Sequence, residues 1–205
     1  MTKTRLWNRD FTLLITGQII SIFGNMILSF ALPLYILHIS GSAALFGLVL
    51  GLTNIPLLIM SPIGGMIADR FRKQRVMFWL DASTTVLIVA YIVASGFVTA
   101  ILPIVIVKLM ALNAIQGVYM PAVHSSVPVL VSEDRLVSAN AAVNLVNFLS
   151  STAGMAIAGL LFAEFGLYPI LVTSAVCFAV TAVMDLFICV PFKPQDNSGG
   201  VVRVC

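Results

Sequence analysis

No Asp, Glu, Lys or Arg occurs between Asp10 and Asp69. A soluble helix or strand needs a polar face for water, and charged residues supply most of it. A charge-free run of this length is too long for one membrane crossing. It suits two spans joined by a tight turn, since about 20 apolar residues at 1.5 Å per residue cover about 30 Å of hydrocarbon. Further charge-free runs lie between Asp81 and Lys108, Lys108 and Glu133, Arg135 and Glu164, and Glu164 and Asp185. Over the whole chain only 9% of residues are charged and 60% are hydrophobic, against about 25% charged in a soluble domain. Lipid is therefore the solvent for most of the chain.

The apolar runs do not alternate polar with apolar residues, so they read as helices and not as strands of a barrel. The expected fold is an all-α integral membrane bundle of six transmembrane helices, with spans at 11–37, 43–68, 76–96, 101–124, 138–163 and 168–190. His38-Ile39-Ser40-Gly41-Ser42 supplies the first turn, Ser95-Gly96 closes the third helix and Gly166 precedes the sixth. From Pro191 the chain turns polar, with Lys193, Pro194, Gln195, Asp196, Asn197 and Ser198 before Gly199-Gly200. Residues 1–190 thus form the bundle, and 191–205 read as a cytoplasmic linker or truncated tail. The first apolar run continues past Leu28 without a cleavage site, so it is a retained span and not a signal peptide.

Lys and Arg collect on the cytoplasmic side of membrane proteins. With the N-terminus inside, Lys3, Arg5, Arg9, Arg70, Arg72, Lys73, Arg75, Arg135, Lys193 and Arg203 are all cytoplasmic, and both termini lie there. The location implied is a plasma (inner) membrane. This topology accounts for the basic loops without a nucleic-acid partner. The cysteines Cys177, Cys189 and Cys205 form no CxxC pair, so neither a disulfide framework nor a zinc site is implied. Cys177 reads as a small packing residue.

Polar residues within spans need partners or water. Helix one carries Gln18, Ser21, Asn25 and Ser29 on one side, and helix five carries Asn140, Asn144, Asn147, Ser151 and Gly154. Helix four carries Asn113, Gln116 and Gly117, with His124 near its inner end. These stripes either line a passage or tie helices together by hydrogen bonds. Helices one, four and five should face an interior, and helices three and six should face lipid. Lys108 lies within a span, where a cation is a functional candidate unless it snorkels to the headgroups. It would hold an anionic substrate or a carboxylate from elsewhere. Asp81 and Asp185 fall toward the inner face and Glu164 toward the outer. A proton carrier, if the protein is proton-driven, is one of these acids or comes from residues outside this chain.

The segment from Ser61 to Arg75 reads SPIGGMIADRFRKQR. It resembles the signature G-x-x-x-D-R-x-G-R-[KR]-[KR] of the major facilitator superfamily, with Gly65, Asp69 and Arg70 matching and Lys73 and Arg75 as its basic end. Gly65 is expected to let a neighbouring backbone come close. Asp69 and Arg70 are expected to form a charge cluster that breaks and re-forms between transporter states. Other strings are similar to the branch holding macrolide-efflux and enterobactin-exporter relatives: Ser21-Ile22-Phe23-Gly24-Asn25, Phe30 to Tyr35, an acid at Asp81, and a loop from Pro121-Ala122 through Val127-Pro128 and Glu133-Asp134-Arg135-Leu136 to Ala139-Asn140-Ala141. The likeness runs from about Leu6 to Pro191. The sequence departs from the pattern at Arg72, where the family has Gly, and at Gln74, where a base is usual. It also lacks the helix-four Arg, and it has Gly154-Met155-Ala156-Ile157-Ala158-Gly159 where exporters carry Gly-Pro-x-x-Gly-Gly.

The resemblance implies the N-terminal half of a two-half transporter, completed by a C-terminal half or a second copy. It implies secondary active efflux of small organic molecules such as drugs or siderophores, by alternating access and coupled to a proton or cation. Gln18, Asn25, Lys108, Asn113, Gln116, Asn140, Asn144 and Asn147 would line the path. The alternative is a half-size membrane protein that assembles with or regulates another subunit. No P-loop, nucleophile elbow or metal-ligand cluster appears, so the sequence suggests no enzyme, no cofactor and no ATP-driven step.

Overall fold

The computed structural model describes residues 8–95 and 101–188. They form α1 (Arg9–Ser40), α2 (Ala43–Arg70), α3 (Lys73–Ala94), α4 (Ile101–Leu130), α5 (Leu136–Phe165) and α6 (Leu167–Phe187), with a 3-10 turn at Glu133–Arg135 before α5. All six α-helices are long and apolar enough to cross a membrane. Gly96, Lys3, Arg5, Lys193, Arg203, Cys189, Cys205 and the tail 191–205 lie outside the described residues.

Local chemistry explains the ends. Asn8 caps α1, its Oδ1 accepting from the Phe11 N–H at 2.8 Å. Gly41 closes the helix in the left-handed region (φ 63°), its N–H bonding the Leu37 carbonyl, and Ser42 caps α2 by accepting from the Leu45 N–H. Gly166 (φ 72°) makes the α5–α6 turn. Helix four runs past the expected 124 to Leu130, so Pro121-Ala122 and Val127-Pro128 are helical and not loop. Each proline removes one ladder donor, but the ladder resumes, with the Val131 N–H bonding the Val127 carbonyl at 3.1 Å. Packing among helices tolerates such interruptions inside membranes.

Two long-range bonds show the up-and-down arrangement. Asn8 Nδ2 donates to the Leu130 carbonyl at 2.7 Å, joining the start of α1 to the end of α4. Gln74 Nε2 donates to the Leu186 carbonyl at 3.1 Å, joining the start of α3 to the end of α6. Both bonds satisfy carbonyls that a helix end leaves without partners. Among the described residues, every Lys and Arg except Lys108 lies at this one end of the bundle. Asn8→Ala removes a cap and a tie together. It is expected to cost about 1–2 kcal/mol, checked by unfolding the purified chain in detergent.

α1 is the central helix, packed on α5 and α6 and also touching α2 and α4; α2 packs on α4, and α3 on α6 and α4. Lipid supplies no hydrophobic drive between helices, so close contact depends on small residues. A Cβ at Gly24 would lie 2.8 Å from Cys177 Cβ on α6, and one at Gly154 would lie 2.8 Å from Met26 Cβ on α1. Cys177 therefore packs against α1. At the α2–α4 contact, a Cβ on Gly64 would lie 2.6 Å from Val118 Cα, and one on Gly117 would lie 2.7 Å from the Leu57 carbonyl oxygen.

That contact corrects one expectation. Among the described residues, nothing beyond its own helical turn lies within 4 Å of where a Cβ on Gly65 would stand. Gly64, its neighbour, admits the close backbone here, because it is the residue turned toward α4. A second correction concerns α3 and α6. They do expose apolar residues such as Trp79, Val86, Val172 and Val176. Their opposite faces turn inward and bury Asp81 and Thr84, and Ser174, Thr181 and Asp185. They are two-sided helices and do not face lipid alone.

Candidate functional site

The α2–α3 turn is two residues long. Phe71 (φ −109°, ψ 163°) and Arg72 (φ −63°, ψ 113°) are both extended. No residue of the turn needs positive φ, so Arg72 fits without strain. Asp69 and Arg70 end α2, exposed. Among the described residues Asp69 makes no salt bridge; the ion pair there is Arg135 Nε to Asp134 Oδ2 at 3.5 Å. Arg70, Arg72 and Arg75 border a cleft of about 580 Å³ whose other walls include Phe71, Trp79 and Val118. Lys73 opens α3.

The expected lining residues separate into two groups. Asn140 and Asn144 of α5 are exposed, and Asn147 is half-buried with an unpartnered Oδ1. Asn113 and Gln116 of α4 are half-buried. The Asn140 and Asn113 side chains donate to carbonyls one turn back, at 3.0 Å each. Asn54 of α2, which the sequence reading did not single out, is exposed and does the same to Leu50 at 2.6 Å. Gln18, Asn25 and Lys108 belong to the second group and are enclosed, at 0%, 6% and 5% exposure. They line no open passage in this conformation. Asn25 Oδ1 accepts from Ser29 Oγ at 3.4 Å.

Lys108 Nζ stands 4.1 Å from the centre of the Tyr91 ring and has no hydrogen-bond partner. It does not snorkel. A desolvated cation–π contact contributes about 2 kcal/mol, while a Lys at membrane depth costs about 2.5–3.5 kcal/mol. Desolvation therefore wins, and the fold is less stable for carrying this charge.

Four helices meet at a second polar centre. Asp81 of α3 and Asp185 of α6 are each 2% exposed. Ser21 Oγ of α1 donates to Asp81 Oδ1 at 3.4 Å, and Tyr119 of α4 is buried facing both acids. An acid inside an apolar span was the sequence signal for this centre; that the two acids meet depends on helix packing.

The profile of the Major Facilitator Superfamily matches residues 14–202. The chain belongs to the Major Facilitator Superfamily. It is 24% identical over 199 residues to macrolide efflux protein A of Streptococcus pyogenes, covering 93% of this chain and 47% of that one. It is 22% identical to the uncharacterised MFS-type transporter YfiS of Bacillus subtilis (93% and 46%). It is 29% identical over 188 residues to the lysophospholipid transporter LplT of Citrobacter koseri (91% and 45%). The chain thus spans about half the length of the curated relatives it matches. Against the superfamily signature, the two departures have local explanations. Arg72 occupies an ordinary extended conformation, and Gln74 ties α3 to the end of α6.

Proposed function

We propose that this chain is one six-helix half of a secondary active exporter of small amphipathic organic molecules. Residues 1–190 form the half-bundle, and 191–205 begin the cytoplasmic linker to a second half. The observation that carries this reading is the amide stripe of α5. Asn140, Asn144 and Asn147 stand at or near the open surface of the bundle, in a helix long enough to span the membrane. Hydrocarbon offers such amides nothing, so they require water or a second bundle. Transporters of this architecture place the substrate between two halves. Asn113 and Gln116 extend the same lining, and the names of the efflux and lysophospholipid relatives support an amphipathic cargo. The clustering of Lys and Arg at one end supports cytoplasmic termini. The cargo crosses without chemical change.

The test is accumulation of a fluorescent macrolide in inverted vesicles holding the protein. Accumulation that collapses with an uncoupler or on removing sodium supports export. Tight association with another membrane protein, with no flux under any gradient, would replace this reading with that of an assembly partner.

Lys108 has a role within this proposal, as the group that meets an anionic part of the cargo or a carboxylate of the second half. Lys108→Met is expected to raise the stability of the chain by about 1 kcal/mol, the excess of desolvation over the Tyr91 contact. Export should fall at the same time. Stability and export are measured on the same preparation, and a loss of both would make Lys108 a packing residue.

A further inference from the structure

We propose that the cleft between α2 and α3 binds one acidic phospholipid. Its phosphate is held by Arg70, Arg72 and Arg75, and an acyl chain lies against the apolar walls beyond them. The two helices are joined by only two residues but pack mainly on other partners, α2 on α4 and α3 on α6 and α4. A cleft of about 580 Å³ lies beside the turn that joins them, with Val118 of α4 as a third wall. That volume is in the range of small-molecule sites, about 300–1,000 Å³. The walls are graded along their length. α3 contributes Arg72 and Arg75, then Val76, Trp79 and Leu80, at the i, i+3, i+4, i+7, i+8 spacing of one helix face. Charge comes first and hydrocarbon follows, with Trp79 about 10 Å beyond Arg72 at 1.5 Å per residue. α2 runs the opposite way and has the same order from the turn, Arg70 before Ile67.

Charge and shape together select the occupant. Among the described residues no salt bridge reaches the three arginines, and no acid borders the cleft. Phe71 and Trp79 are 59% and 67% exposed on its walls. A free anion would meet the guanidiniums and leave those walls bare. A lipid without net charge would cover the walls and leave the guanidiniums without a counter-charge. A phospholipid with net negative charge meets both demands. Guanidinium forks fit phosphate oxygens by two-point contact. Basic pockets between spanning helices take acidic headgroups, and Trp favours the same depth of the bilayer. Arg72 makes the site particular to this chain. The superfamily signature has Gly at that position, which would leave two guanidiniums in place of three.

The site does not depend on export, and its test needs no flux. Trp79 reports on the cleft from within it. In the full chain with Trp7→Phe, Trp79 is the sole tryptophan. This protein is reconstituted in phosphatidylcholine vesicles with rising fractions of phosphatidylglycerol carrying brominated chains. A parallel series uses brominated phosphatidylcholine. Bromine quenches the indole it touches. Half-maximal quenching is expected at a fraction of the acidic lipid lower by about tenfold or more. Arg72→Gly and Arg75→Gln should each raise that fraction about fivefold, while Arg9→Gln should raise it less than about twofold. Arg9 is exposed at the same end of the bundle but does not border the cleft. Circular dichroism confirms the fold of each variant, and the exposed Arg75→Gln carries the test if Arg72→Gly does not fold. Equal quenching by the two lipids would overturn the proposal. Equal losses in Arg9→Gln and the cleft variants would also overturn it, leaving only diffuse attraction to a basic surface. Relief of quenching by inorganic phosphate, at constant ionic strength, would overturn it in favour of a free anion.

Discussion

Gly64→Ala should cost the bundle about 2 kcal/mol or more, while Gly65→Ala, one residue away, should change it by less than about 0.5 kcal/mol. At Gly64 the added methyl would meet Val118 Cα at 2.6 Å and the Gly117 carbonyl oxygen at 2.8 Å. These are backbone atoms, and no side chain can swing aside to make room. The helices must separate, and Gly117 is pressed on Leu57 across the same contact. In lipid, where close packing substitutes for the hydrophobic drive, separation removes most of what joins α2 to α4. Unfolding of the two variants in detergent gives the comparison. Equal losses would mean that the α2–α4 contact is looser than described. The same pair separates two roles in export, since Gly65 stays free to meet a helix from outside this chain.

Asp69→Ala should leave the chain folded and reduce export by about tenfold to a hundredfold. Asp69 is exposed and makes no salt bridge among the described residues, so truncating it falls in the range of ordinary surface changes, within about 0.5 kcal/mol. If Asp69 and Arg70 act as a latch, the charge cluster that breaks and re-forms between transporter states, Asp69 would bond charged or backbone donors across the two halves in another state. Such bonds contribute about 1.5–3 kcal/mol. Removing that much from one state of a two-state cycle shifts the populations by about tenfold or more. The readout is macrolide flux at equal protein in the membrane, with melting measured alongside. Unchanged flux would remove the latch role. Asp69→Asn separates charge from shape, and recovery of half or more of the flux would point to hydrogen bonding.

The elements differ in how far they could be read in advance. Six spans follow from charge-free runs, because a bilayer selects helices by length and apolarity alone, and both are properties of the chain residue by residue. The one-sided placement of Lys and Arg is of the same kind, and so is the superfamily signature around Asp69 and Arg70. Gly41-Ser42 and Gly166 marked turns because positive φ and a capping hydroxyl are local demands. The end of α4 was not legible: the string from Pro121-Ala122 to Val127-Pro128 resembles a family loop, and only the tertiary structure shows the helix continuing to Leu130.

Tertiary structure decided which side of each helix meets which neighbour. Gly64 and Gly65 are equal as residues; rotation of α2 by one position gives one of them the α4 backbone and leaves the other open. Gln18 and Asn25 sit on a polar stripe just as Asn140 and Asn144 do, but α1 is surrounded and α5 is not. Asp81 and Asp185 lie far apart in the chain, on helices whose composition resembles a lipid-facing surface. They come to one region because α3 packs on α6 and α6 packs on α1, and helix rotation and pairing are fixed by contacts among all the helices at once. Composition reports how much of a helix lipid will accept, and the arrangement of its neighbours determines where the remaining polar groups converge.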